Sequence, residues 1–258
     1  MKKIFLILIG IFLTSNSLGQ VHEDVKKTLE TKDFITFKET VDDLSNREKR
    51  IESHWKFLRD LTDEFKEGVF VFEKSIPIDD ITCKVLRFKV NILATETQII
   101  YYELWEKKYK EVKREKWISY DELICSFIDE VLFDSLKISF KEIFKADINE
   151  KELFITDFAY GEMCSLSGTP PDGRQQINKF VADKNKSELL KWLKSVNTEK
   201  QIYAIDGLYQ LEKQEILLTG EEKEIINFIT NKKGSVYVCD GCLYYRQEIG
   251  DVIKDFKL

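Results

Sequence analysis

Cys239-Asp240-Gly241-Cys242 is the densest chemical feature of the chain. Two thiols at this spacing can hold a metal, run dithiol–disulfide chemistry or close a disulfide. Thioredoxin-type chemistry needs the pair at a helix N-terminus behind a strand, where the dipole favours the thiolate. Here Ser235-Val-Tyr-Val precedes the pair and Leu243-Tyr-Tyr follows it, so the flanks read as two strands turning at Asp240-Gly241. A tetrahedral zinc site wants four ligands. Cys164 could add a third thiolate, but the sequence holds no second Cys-x-x-Cys, and His22 and His54 both lie in the N-terminal part. No metal and no cofactor is assigned. The remaining reading is a structural disulfide, either Cys239 to Cys242 across the turn or one of them to Cys164. Cys83, at the start of a strand, and Cys125, in a helical pattern, are read as packed thiols.

Other reactive constellations are missing. The sequence has no serine nucleophile elbow, no His-Glu-x-x-His and no phosphate-binding glycine loop. With 2 histidines, acid–base work would fall to carboxylates, Lys or Tyr, and no spacing among the 46 Asp and Glu singles out a pair. His54 reads as a surface or boundary histidine, and no catalytic residue is assigned. Trp192 sits between Leu189 and Leu193 on the apolar side of a short helix and is expected to anchor its core. Gly168-Thr-Pro-Pro-Asp-Gly-Arg174 is a stiff approach to a helix and a candidate contact loop.

The setting for these residues is written at the N-terminus. Lys2 and Lys3 precede the apolar run Ile4 to Leu13, and Ser17-Leu18-Gly19 places small residues before Gln20. That order predicts a signal peptide over 1–19, cut between Gly19 and Gln20. The run is short for a bilayer span, and no second long apolar run follows. The expected product is soluble, without stable membrane insertion, and periplasmic or extracellular. A formal net charge of −6 disfavours phosphate backbones and so nucleic acid. A basic protein partner is electrostatically allowed.

The elements that must position the thiols fall into two parts. Gly68 is the only glycine between Gln20 and Tyr160, whereas glycines recur from Gly161 onward. The shift predicts an α+β domain over 20–163 and a helical domain over 164–258. In the first, Thr36-x-x-Glu39 reads as a capping box, and Ile51, Trp55, Leu58, Leu61 and Phe65 recur at helical steps. They predict a short helix and a long amphipathic helix, ended by Gly68 and packed on an antiparallel meander. Val69–Phe72, Cys83–Ile92, Gln98–Trp105 and Lys110–Ile118 supply its strands. Ser119-x-x-Glu122 predicts a helix running on through Leu132 to Phe144, and Glu152–Tyr160 a further strand. In the second domain, Asp172-x-x-Gln175, Thr198-x-x-Gln201 and Thr219-x-x-Glu222 resemble capping boxes, and Ser187 caps a helix to Ser195.

The run Ser187-Glu-Leu-Leu-Lys-Trp-Leu-Lys-Ser195, followed by Thr198 to Leu211 with Ala204 and Gly207, resembles a HEAT-type helical hairpin. With the leader ending at Gly19-Gln20, the Gly168–Arg174 run and the late Cys-x-x-Cys, the C-terminal part resembles uncharacterised exported proteins of Bacteroidota. That resemblance implies a HEAT-like helical domain and carries no activity. The leading expectation is a non-catalytic protein-binding module, of which an immunity or inhibitor protein is one kind. The competing expectation is a periplasmic or secreted enzyme using carboxylates.

Overall fold

The computed structural model describes residues 20–47, 50–79, 81–112, 116–166, 168–254 and 256; the leader over 1–19 lies outside them. The fold is mixed α and β, with one five-stranded antiparallel sheet and a separate two-stranded hairpin. Two compact units divide it: residues 1–55 with 70–129, and residues 56–69 with 130–258. The boundary expected at 163/164 falls inside the second unit. Glycine frequency marks where loops need special backbone, whereas packing decides the units. Phe144, from before the expected boundary, stacks edge-on against Phe228 from after it, at 5.6 Å.

In the first unit, α1 (Gln20–Glu30) and α2 (Phe34–Asp42) precede a single turn, α3 (Leu44–Arg47). Asp33 caps α2 by accepting from the Thr36 amide at 3.0 Å, so Thr36 is inside the helix and not its cap. The sheet follows in chain order: β1 (Ile51–Asp60), β2 (Lys66–Pro77), β3 (Cys83–Ala94), β4 (Ile99–Val112) and β5 (Lys116–Ile128). The far end of the β1–β2 hairpin, 56–69, counts with the second unit.

The long helix expected through Phe65 is therefore strand β1 and the turn that follows it. Ile51, Phe57 and Arg59 are buried on one side of β1, with Ser53 and Trp55 half-buried between them. The alternation has period two. It is masked in the sequence because one inward position carries a serine and another an arginine. The helix expected from Ser119 is likewise strand β5, paired with β4 from Lys116↔Val112 to Ile128↔Tyr101 with a bulge at Leu104/Trp105. A helix, α4 (Glu130–Phe144), starts only after it. Cys125 thus lies half-buried in a strand, and Cys83 is exposed, so Cys83 is no packed thiol.

Among its described residues the second unit carries α4, a short 3₁₀ turn at Glu150–Glu152, and five further helices. These are α5 (Asp172–Ala182), α6 (Lys186–Leu193), α7 (Thr198–Glu212), α8 (Gly220–Asn231) and α9 (Ile249–Lys254). The strand expected over Glu152–Tyr160 is absent among the described residues; Tyr160 makes one isolated bridge to Val238. Thr219 and Glu222 form a complete capping box on α8. Asn185 and Asn197 cap α6 and α7 in place of Ser187 and Thr198, and Pro171 precedes α5 without a side-chain cap bond. Helices α5 and α6 both pack on α7 at Gly207. A Cβ there would stand 2.6 Å from Leu189 Cδ2 and 3.1 Å from Ile177 Cγ2, so any side chain at 207 would push Leu189 aside.

Candidate functional site

The expected hairpin is present as β6 (Ser235–Asp240) and β7 (Leu243–Glu248), with its register one residue from expectation. Asp240 pairs with Leu243 and Cys239 with Tyr244, so the loop is Gly241-Cys242. Gly241 takes φ +54, the left-handed region this turn needs. With this register Cys239 faces Tyr244 and not Cys242 across the hairpin. Cys239 is bonded instead to Cys164, 75 residues away, with Cα atoms 5.6 Å apart. Cys242 is a free, exposed thiol. Main-chain bonds hold the same junction: Tyr160 N–H to Tyr237 O at 2.8 Å and Cys239 N–H to Tyr160 O at 2.7 Å. Among the described residues no group of three His, Cys, Asp or Glu is placed to hold a metal.

Beside the disulfide lies an ionic centre on Arg174, a residue that sequence reasoning placed only as the end of a loop. Arg174 is buried at the start of α5. Its guanidinium donates to Gly161 O at 3.3 Å and to Tyr160 Oη at 3.0 Å, and pairs with Asp206 and, at 2.6 Å, with Glu162. A cavity of about 370 Å³ opens here, lined by Tyr160, Glu162, Asp206, Lys213, Val238 and Gln247. Burial pushes the Tyr160 phenol far up and that of Tyr203 to about 12. Both therefore stay protonated; the Tyr203 hydroxyl donates to the Ala159 and Gly161 carbonyls, and that of Tyr160 accepts from Arg174. The two carboxylates that meet at this cavity are both engaged by one guanidinium, which favours rigidity over proton transfer.

Trp192 is half-buried, and less enclosed than its flanking leucines suggest. Phe158, Phe180 and Tyr203 meet it edge-on at 6.1, 5.9 and 6.3 Å. Its open side helps to line a groove of about 560 Å³ with Glu152, Ser195 and Lys200. Burial opposes ionisation of Glu152, but hydrogen bonds from Ser195 and Lys200 outweigh it and hold the carboxyl below its ordinary value. Trp192→Ala should cost about 2 kcal/mol in urea denaturation, short of the 3–5 expected of a fully buried aromatic.

Arg59, Glu67, Glu199 and Lys232 form a second charged group, all fully or almost fully buried. Arg59 Nε bonds Glu67 at 3.1 Å and Nη1 bonds Glu199 at 2.8 Å. Glu67 also caps the Phe154 amide, and Lys232 Nζ donates to Gln201 Oε1 at 3.2 Å. Burial, with Arg59 nearby, pushes Lys232 down to about 7. An unfolded lysine keeps its proton to about pH 10.4. Between pH 7 and 10 the unfolded chain thus binds the extra proton, and the Lys232 contribution to stability rises with pH. Below pH 7 both states are protonated and this slope vanishes. Denaturation midpoints across pH 7–10 should show the rise, and Lys232→Met should flatten it.

In the first unit the uncovered feature is the sheet edge. Among the described residues β5 has a neighbour on one side only, β4. Trp117 is 62% exposed, Ile118 47%, Tyr120 48% and Leu123 44%. Tyr109 and Val112 of β4 are exposed beside them. Trp117 and Tyr109 share one face of the hairpin, because Glu111↔Trp117 and Tyr109↔Ser119 are two steps apart in register; Ile118 and Tyr120 share the other. Sequence reasoning missed this edge because it assigned Ser119–Leu132 to a helix. The alternation Ile118, Tyr120, Glu122 was the available signal. Comparison with protein-family models, curated proteins and solved structures gave no match.

Proposed function

We propose that the protein is an exported, non-catalytic module that binds another protein through the β5 edge. The observation that carries this reading is a 13-residue edge strand bearing exposed Trp117, Ile118, Tyr120 and Leu123. Long apolar edges are usually blunted, because their free main-chain groups invite pairing with another strand. Strand addition uses that property for recognition: main-chain bonds supply affinity, and alternate side chains supply specificity. Asp121 of β5 faces Lys107 and Glu122 pairs with Lys108 at 3.6 Å, so it is the net charge of −6 that favours a basic extended segment of the partner. An immunity or inhibitor role against a basic target fits that chemistry.

Export is supported by the leader in the sequence and is compatible with the Cys164–Cys239 disulfide. Among the described residues no helix is long and apolar enough to cross a membrane. The packing of α5 and α6 on α7 at Gly207 supports a HEAT-like character for the helical part, which would act as scaffold. The competing enzyme reading rests on Glu162 and Asp206 at the Arg174 cavity, and the pairing of both with Arg174 weighs against it. The test is photo-crosslinking from positions 117 and 120 in the native envelope, with position 184 of the second unit as control. A crosslinked protein found only from the β5 positions supports the reading. Equal capture from all three positions contradicts it.

A further inference from the structure

Three of the five cysteines meet at one junction, and only two of them are bonded. The bridged sulfurs are shielded, with Cys164 7% and Cys239 2% exposed, whereas Cys242 is exposed. Cys239 Sγ lies 3.7 Å from the carbonyl oxygen of Gly241, so the peptide that joins Gly241 to Cys242 rests against the bridge. The same turn is tied to the other arm: Gly241 N–H donates to Met163 O at 2.9 Å, and Cys164 bridges Gly241. A side chain at Gly241 would meet nothing within 4 Å, so the turn has open space in which to rearrange. The free thiol therefore sits on a two-residue loop held against both halves of a disulfide that solvent barely reaches.

We propose that Cys242 is an exchange thiol for the Cys164–Cys239 bridge. Its thiolate attacks Cys239 Sγ in line with the existing bond. The Cys239–Cys242 bond forms, the Cys164–Cys239 bond breaks, and Cys164 leaves as thiolate. The proton lost by Cys242 to solvent is matched by one taken up at Cys164. One thiol and one disulfide become one thiol and one disulfide, so no oxidant or reductant is consumed. The new bridge is local and lies on an exposed loop, where a small external thiol can attack it. Cys242 thus gives thiols in solution a route to a disulfide they cannot reach directly.

The exchange has a consequence for the neighbouring cavity. Cys164 anchors the segment that carries Glu162, which pairs with Arg174. The hairpin held by Cys239 supplies Val238 and Gln247 to the same lining. The bridge joins two walls of that cavity, and exchange would untie them.

The experiment uses the full mature chain with Cys83→Ser and Cys125→Ser, so that only the three junction cysteines remain. Reduced glutathione is the probe, and non-reducing peptide mapping follows the bridges in time. Loss of the Cys164–Cys239 peptide is expected at least tenfold faster than in the same chain with Cys242→Ser, with a Cys239–Cys242 peptide seen at early times. Circular dichroism checks that both chains are folded. A Cys164→Ser chain treated with oxidised glutathione is expected to form Cys239–Cys242. Equal rates with and without Cys242 would overturn the proposal. A Cys164→Ser chain that keeps Cys239 and Cys242 apart would overturn it too.

Discussion

Arg59→Met is expected to cost about 3–5 kcal/mol, enough to unfold a marginal domain. Glu67 and Glu199 both lose their guanidinium partner in a site where Arg59 has no exposed side-chain surface. Burial already pushes Glu67 upward against the pull of Arg59, so removing Arg59 leaves a carboxyl that must take a proton or admit water. The packing of Arg59 over the Phe57 ring, at 3.9 Å, is lost as well. Methionine keeps much of the volume, so the effect reports charge more than cavity. Urea denaturation followed by circular dichroism measures it. Adding Glu67→Gln and Glu199→Gln should recover most of the loss, because the penalty comes from unpaired charge. A single-variant cost below about 1 kcal/mol would mean that water reaches the group and that its charges are not held dry.

Removal of the disulfide is the second large effect. Cys164→Ser with Cys239→Ser should lower stability by about 4 kcal/mol in the chain-entropy account, since the bridge spans 75 residues. A local Cys239–Cys242 bridge would constrain far less of the unfolded chain. The remaining ties at the junction are main-chain bonds of Tyr160 to Tyr237 and Cys239, and the Tyr203 hydroxyl on Gly161. They should hold the hairpin in place in the native state, so the loss appears in the denaturation midpoint and not in the circular dichroism spectrum at rest. An unchanged midpoint would show that the unfolded chain is already confined without the bridge.

What the sequence shows of this fold depends on how local each determinant is. Thr219 and Glu222 cap one another within a single turn, and that box was legible. The β6–β7 hairpin was legible too, from Gly241, although its register was off by one because Gly241 and Cys242 share the loop. Strand β1 was not legible. Its inward Arg59 pairs with Glu199, 140 residues away, and no local pattern announces such a partner. Strand β5 was missed for a different reason. It buries little on either face, so its apolar residues follow no core stripe and Ser119-x-x-Glu122 imitated a helix start. The disulfide candidates Cys164, Cys239 and Cys242 were legible from the Cys-x-x-Cys spacing and the expected turn, and the choice among them needed the fold. The Arg174 centre drew on Tyr160, Glu162 and Asp206, whose spacing carries no signature. The same property that hid β5 is what recommends it as a surface: apolar side chains that the protein itself leaves uncovered.

Binding of a protein at this edge, as proposed, is open to one decisive comparison. The direct measurement is the affinity of the purified crosslinked partner for the wild-type chain and for Trp117→Lys/Tyr120→Lys, with sedimentation of each chain alone. Lysines on an edge oppose strand addition and repel a basic segment. The account predicts a monomeric wild-type chain, an unchanged folded spectrum in the variant and a loss of affinity of about thirtyfold or more, the scale of a binding hot spot. Unchanged affinity would contradict it, as would a wild-type dimer that the variant splits, since the edge would then serve a second copy of the chain.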